Sequence, residues 1–229
     1  MFFPFFMDLT IIILIPGIIF AAYAQGKVSK TYNKYLRVPN GKGITGAQVA
    51  RQILDHNGLH GVNIELVSGK LSDHYDPRKR VLRLSNEVYH GRSLAAAGIA
   101  AHEVGHAIQH SKAYTPLTIR NSIFPVVNFA SSSAWFLIII GLMFSMPELM
   151  TIGIVFFSTS VVFNLITLPV EFNASSRAVA QLTNYGLVLD NESPAVKKVL
   201  QAAALTYVAA LLVSILQLLR LLILRGSRD

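Results

Sequence analysis

The sequence predicts a mainly α-helical integral membrane protein. It has about four transmembrane helices, with a small α+β domain between the first and the second. Three observations carry this prediction. The 229 residues are 52% hydrophobic and only 14% charged, whereas a soluble domain carries roughly 25% charged residues. Four segments are long and almost free of charge, close to the roughly 17–25 residues that a helix needs to cross a bilayer. The charges are also gathered in one place: 14 of the 20 Lys and Arg residues fall between positions 25 and 125.

The first apolar segment, 9–24, follows an aromatic start from Phe2 to Phe6. No basic residue precedes it, so 1–24 is read as a retained anchor rather than a cleaved signal peptide. Residues 126–144 and 149–168 form a transmembrane hairpin, 126–168, joined by a short link without Lys or Arg. The fourth segment, 202–224, carries Gln217 and Arg220 and leads into a tail ending at 229.

Basic residues mark the cytoplasmic side. The rich 25–125 region, and Arg177, Lys197 and Lys198 in the 169–201 link, then face the cytoplasm of a bacterial-type cell membrane that the chain crosses several times. Arg225 and Arg228 oppose this topology, which puts the C-terminal tail outside. The net charge of +8 is read as this bias plus attraction to anionic lipid. No interleaving of basic and aromatic residues points to nucleic acid. With no cysteine, disulfides and thiolate metal sites are excluded.

Within 25–125, residues 27–37 form a basic segment, and Pro39, Gly41 and Gly43 a linker. Thr45 can cap a helix running to His56, which Asn57-Gly58 would end. Residues 62–67 and 81–85 read as strands joined by a polar loop containing Asp76-Pro77. Ser93 can cap an alanine-rich helix that reaches His110. All seven histidines, from His56 to His110, lie in this region.

The helix holds His102-Glu103-Val104-Gly105-His106, an H-E-x-x-H motif. Residues four apart share a helix face, so both imidazoles can reach one metal ion, with Glu103 beside them to act on a water. Roughly 0.006 chance matches are expected from this composition. Two ligands do not complete a catalytic zinc site, which takes three with a fourth position open. A metzincin would continue with Gly at 109 and His at 112; here stand Gln109 and Lys112. His110 lies about 12 Å along the axis from His102, too far to share its ion. A carboxylate is then required. Glu148 falls on the opposite side of the membrane, while Glu192 in a loop and Glu171 just past the third span both remain open. An ionisable group at a membrane boundary has a functional prior.

The runs Asp73-His74-Tyr75-Asp76-Pro77, Leu84-Ser85, the His102 motif and Pro169-Val170-Glu171-Phe172-Asn173-Ala174-Ser175 together resemble the bacterial membrane neutral zinc metallopeptidase family (YugP-like). The likeness covers nearly the whole chain and extends distantly to HtpX-like gluzincin membrane proteases. It implies a zincin-like catalytic domain with Zn²⁺ held by His102, His106 and Glu171, and Glu103 as general base. Those distant relatives carry Glu-x-x-Ala-Asp, where this chain has Ser175 in place of the acid. Another group must then orient a histidine, with Asn173 and Asp73 as candidates.

His74 and Tyr75 are candidate donors to the oxyanion, and 81–85 a candidate edge strand for an extended substrate. The expected partners are protein or peptide substrates and the lipid bilayer. The alternatives are a zinc-binding membrane scaffold that does not cut, against which the intact Glu103 argues, and a transporter, for which Ser158, Ser160 and Asn164 give thin support.

Overall fold

A computed structural model describes residues 9–226. The aromatic start and Arg228 lie outside these residues. Seven helices and three strands follow in the order α1 (Ile15–Leu36), α2 (Gly46–His56), β1 (Asn63–Val67), β2 (His74–Asp76), β3 (Val81–Ser85), α3 (Asn86–Tyr89), α4 (Leu94–Ser111), α5 (Thr115–Met143), α6 (Pro147–Asn184) and α7 (Ser193–Gly226). A 3-10 turn, Leu9–Leu14, leads into α1. The chain is mainly helical, and four of its described helices are long and apolar enough to cross a membrane: Leu9–Leu36, Thr115–Met143, Pro147–Asn184 and Ser193–Gly226. Each extends beyond the apolar segment that predicts it, because helix hydrogen bonding does not stop where hydropathy falls.

Two compact units share these helices. One comprises Met1–Gln25, Thr118–Leu168 and Thr206–Asp229; the other comprises Gly26–Leu117 and Pro169–Leu205. In the first, Ala134, Ile138, Met150, Ile154, Phe157 and Leu221 form a buried cluster. Glycine lets its helices approach closely: a Cβ on Gly153 would lie 3.0 Å from Ala134 O, and one on Gly141 2.7 Å from Met150 N. Small residues serve this purpose between helices in lipid, where no hydrophobic force drives them together. Large apolar side chains such as Phe129, Phe136 and Leu165 remain exposed, the surface that a helix in lipid presents.

The second unit packs α2, α4 and part of α6 around Ile53, Leu54, Leu82, Leu84, Val104, Ile108 and Leu182, all almost fully buried. Both predicted caps form. Thr45 Oγ1 accepts from Gln48 N while Gln48 Oε1 accepts from Thr45 N, a reciprocal capping box on α2. Ser93 Oγ accepts from Ala96 N at the start of α4. Helix α2 ends at Asn57 as anticipated, with Gly58 at φ +71 supplying the left-handed turn.

The sheet differs from the sequence reading. Its order is β1-β3-β2, with β1 parallel and β2 antiparallel to β3. Residues 81–85 are therefore the central strand, paired on both sides, and not an edge. The polar loop itself supplies the second partner. Asp76 Oδ1 accepts from Arg78 N (3.0 Å) and Lys79 N (3.1 Å), an Asx-type turn that folds 74–76 back along β3.

Candidate metal centre

Helix α4 is buried along most of its length, and its glycine sets the site. A Cβ on Gly105 would stand 2.7 Å from Ala174 O. The absence of one brings the backbone of α4 against α6, one turn of α6 beyond Glu171.

The helical spacing puts His102 and His106 on one face, their rings 4.8 Å apart between centroids. Glu171, buried in α6, points one carboxylate oxygen at both. Its Oε2 lies 3.3 Å from His102 Nε2 and 3.6 Å from His106 Nε2. Donor atoms of all three lie within 4.8 Å of one another, the one such group of His and acidic residues among the described residues. Ligands at about 2.0–2.1 Å from a tetrahedral zinc stand about 3.3 Å apart, so the carboxylate-to-imidazole separations suit that ion. Two imidazoles and a carboxylate are also a known ligand set for catalytic zinc.

The other ring nitrogens are held from behind. Gln109, fully buried one turn beyond His106, donates its Nε2 to Val170 O (2.8 Å) and to Asn173 Oδ1 (3.0 Å). This fixes the amide so that Oε1 faces His106 Nδ1 at 3.0 Å. An amide oxygen only accepts, so Nδ1 carries the proton and Nε2 keeps its lone pair for a metal. Arg177 Nε in turn donates to Asn173 Oδ1 (2.7 Å). His102 Nδ1 meets Ser175 Oγ at 3.2 Å. Asn173 therefore acts on His106 only through Gln109. Asp73 instead accepts from Ser85 N (2.7 Å) and Ser85 Oγ (3.0 Å), tying down the end of β3.

Sequence reasoning noted Gln109 only as a departure from another pattern. Its place three residues after His106, on the same helix face, was the available signal. Replacing Gln109 with Ala frees the His106 ring. Zinc affinity is expected to fall about 10–100-fold, read by competition with a fluorescent chelator. An unchanged affinity would contradict the positioning role.

Glu103 is buried, and its Oε2 accepts the Tyr75 main-chain N–H at 3.1 Å. Burial pushes its carboxyl above the ordinary carboxylate range, against the opposing pull of His102 and His106. For His106, burial acts downward, but hydrogen bonding to Glu171 and the charge of Glu103 outweigh it and leave the imidazole raised.

Tyr75 thus enters the site through its backbone. Its hydroxyl lies 3.0 Å from His110 Nδ1. His74 is exposed, with Nδ1 2.8 Å from Ser72 O and Nε2 3.4 Å from Arg83 Nη1. Either side chain would have to exchange these bonds to serve an oxyanion. Glu192, the other open carboxylate, is engaged elsewhere: Oε1 accepts from Gly41 N (2.7 Å) and Oε2 from Leu189 N (2.8 Å).

The family model described as "Putative neutral zinc metallopeptidase" matches residues 10–226. A curated relative, "Putative membrane protease YugP" of Bacillus subtilis (strain 168), is 53% identical over 208 residues, covering 90% of this chain and 92% of the relative. No solved structure matches the chain.

Proposed function

This chain belongs to the "Putative neutral zinc metallopeptidase" family, and from that premise we propose that it is a membrane-embedded, zinc-dependent endopeptidase. One observation carries the reading: the donor atoms of His102, His106 and Glu171 converge with the buried carboxylate of Glu103 next in sequence to the first of them. A purely structural metal site has no need of that fourth group.

His102 Nε2, His106 Nε2 and Glu171 Oε2 would hold the ion. Bound zinc supplies Lewis acidity, which makes water nucleophilic at neutral pH and polarises a peptide carbonyl. The protein's own work is proton transfer and positioning. Glu103 takes the proton of the attacking water and delivers it to the leaving amine. Burial raises the basicity of its ionised carboxylate, and the Tyr75 N–H holds that carboxylate in place. Because this N–H points away from β3, the outer edge of β2 lies beside Glu103; with the N–H held by Glu103, the outward carbonyl of Tyr75 is left to pair an extended substrate, the role that the sequence suggested for 81–85. His74 and the Tyr75 hydroxyl would serve as oxyanion donors after leaving Ser72 and His110.

The unit formed by 26–117 and 169–205 is the catalytic one in this reading, and the apolar helices anchor it in the bilayer. The concentration of basic residues in 25–125 supports a cytoplasmic site. The substrates are then membrane proteins, or peptides close to the bilayer.

The test is hydrolysis of casein by detergent-purified protein before and after removal of metal. Activity should disappear with a chelator and return on adding zinc, but not magnesium. Hydrolysis that survives complete loss of metal would defeat the proposal. Stoichiometric zinc without hydrolysis of any protein or peptide would turn the reading to a zinc-binding scaffold.

A further inference from the structure

Beside the metal centre lies a cleft of about 400 Å³. Tyr75, Arg80, Ala107, His110 and Ser111 line it, with the 58–62 loop closing the far side. Its position follows from α4: Ala107 succeeds His106 directly, and His110 comes one helical turn after His106. Tyr75 joins the two places, with its N–H on Glu103 (3.1 Å) and its hydroxyl on His110 (3.0 Å). A peptide lying along the outer edge of β2 past Tyr75 would therefore run between Glu103 and this cleft.

The chemistry of the walls is one-sided. Arg80 brings a guanidinium, and no ion pair joins it to a carboxylate among the described residues. No Asp or Glu lines the cleft. The acid of the adjoining turn, Asp76, is taken by Arg83 (3.2 Å) and by the main chain of residues 78 and 79. The remaining polar side chains there are the hydroxyls of Tyr75 and Ser111 and the imidazole of His110; Ser111 Oγ donates to Ile108 O (2.9 Å) and the Tyr75 hydroxyl meets His110 Nδ1 (3.0 Å). Arg80 itself sits at φ +53, a conformation uncommon for residues other than glycine. Gly or Asn would suit that turn better, so the backbone gives no reason for a cation at this point.

We propose that this cleft is a substrate subsite that reads a carboxylate, supplied either by an Asp or Glu side chain near the scissile bond or by a free C-terminus. The inference deepens the peptidase reading and rests on it. Arg80 supplies the charge, and Tyr75 and His110 supply the wall facing Glu103.

The test measures binding separately from cutting. Fluorescein-labelled peptides that differ only by Glu against Gln at each successive position, or by a C-terminal acid against an amide, are titrated onto zinc-loaded Glu103→Gln protein. Anisotropy should show about tenfold tighter binding of the carboxylate form at one position. Whether the side-chain series or the terminal series shows it identifies the source. The preference should vanish on adding Arg80→Gln and return in part with Arg80→Lys. Arg80 is exposed, so neither change threatens the fold. Equal binding of acid and amide forms throughout, or a preference that Arg80→Gln leaves intact, overturns the subsite. A preference that holds while wild-type protein cuts none of the peptides overturns the peptidase reading and leaves the subsite standing.

Discussion

Glu103→Gln is expected to lower kcat for peptide hydrolysis by about 10²–10⁴-fold, the usual contribution of a positioned general base, while zinc content stays at that of the wild type. The amide matches the carboxylate in shape and keeps an oxygen to accept the Tyr75 N–H, a bond of 3.1 Å in the wild type. It cannot take a proton from water. Folding should not suffer, because Glu103 is buried and burial disfavours its charged form. Metal analysis and a casein assay on the same preparation decide the matter. Full activity in zinc-loaded Glu103→Gln protein would remove Glu103 from the reaction.

Glu171→Ala should act at the earlier step. Wild-type protein is expected to hold about one zinc per chain. The variant, left with two imidazoles, should retain well under a tenth of that after dialysis against zinc-free buffer, since even groups behind the ligands change affinity about 10–100-fold. The helix should persist: alanine favours it, and Val170, Ala174, Ala178 and Leu182 remain to anchor α6 in its surroundings. Glu192→Ala is the control. It breaks the bonds to Gly41 N and Leu189 N and should leave zinc content unchanged. Zinc kept by Glu171→Ala and lost by Glu192→Ala would reverse the assignment of the third ligand.

Features set by neighbouring residues were legible in the sequence. The spans declare themselves by length and hydropathy. The caps Thr45 and Ser93, and the stop at Asn57-Gly58, lie within a turn of what they cap. His102 and His106 share a face because any helix imposes it. The strand β2 was not legible. Three residues ending at Asp76-Pro77 show no alternation to detect, and the strand exists only because the Asp76 turn lays it against β3. For the same reason 81–85 read as an edge when it is the centre of the sheet.

By itself, then, the sequence determined the membrane class, the pair of imidazoles and the carboxylate next to them. Only the tertiary structure decided how the centre is completed and supported. Glu171 meets the histidines because Gly105 allows α4 to touch α6 at Ala174. Gln109 fixes the proton of His106 because Val170 and Asn173 fix Gln109. Glu103 is steadied by a backbone N–H whose direction depends on how β2 pairs. Periodicity is a property of one helix and can be read along the chain. A contact between two helices depends on the packing of both, and no local pattern in the sequence records it.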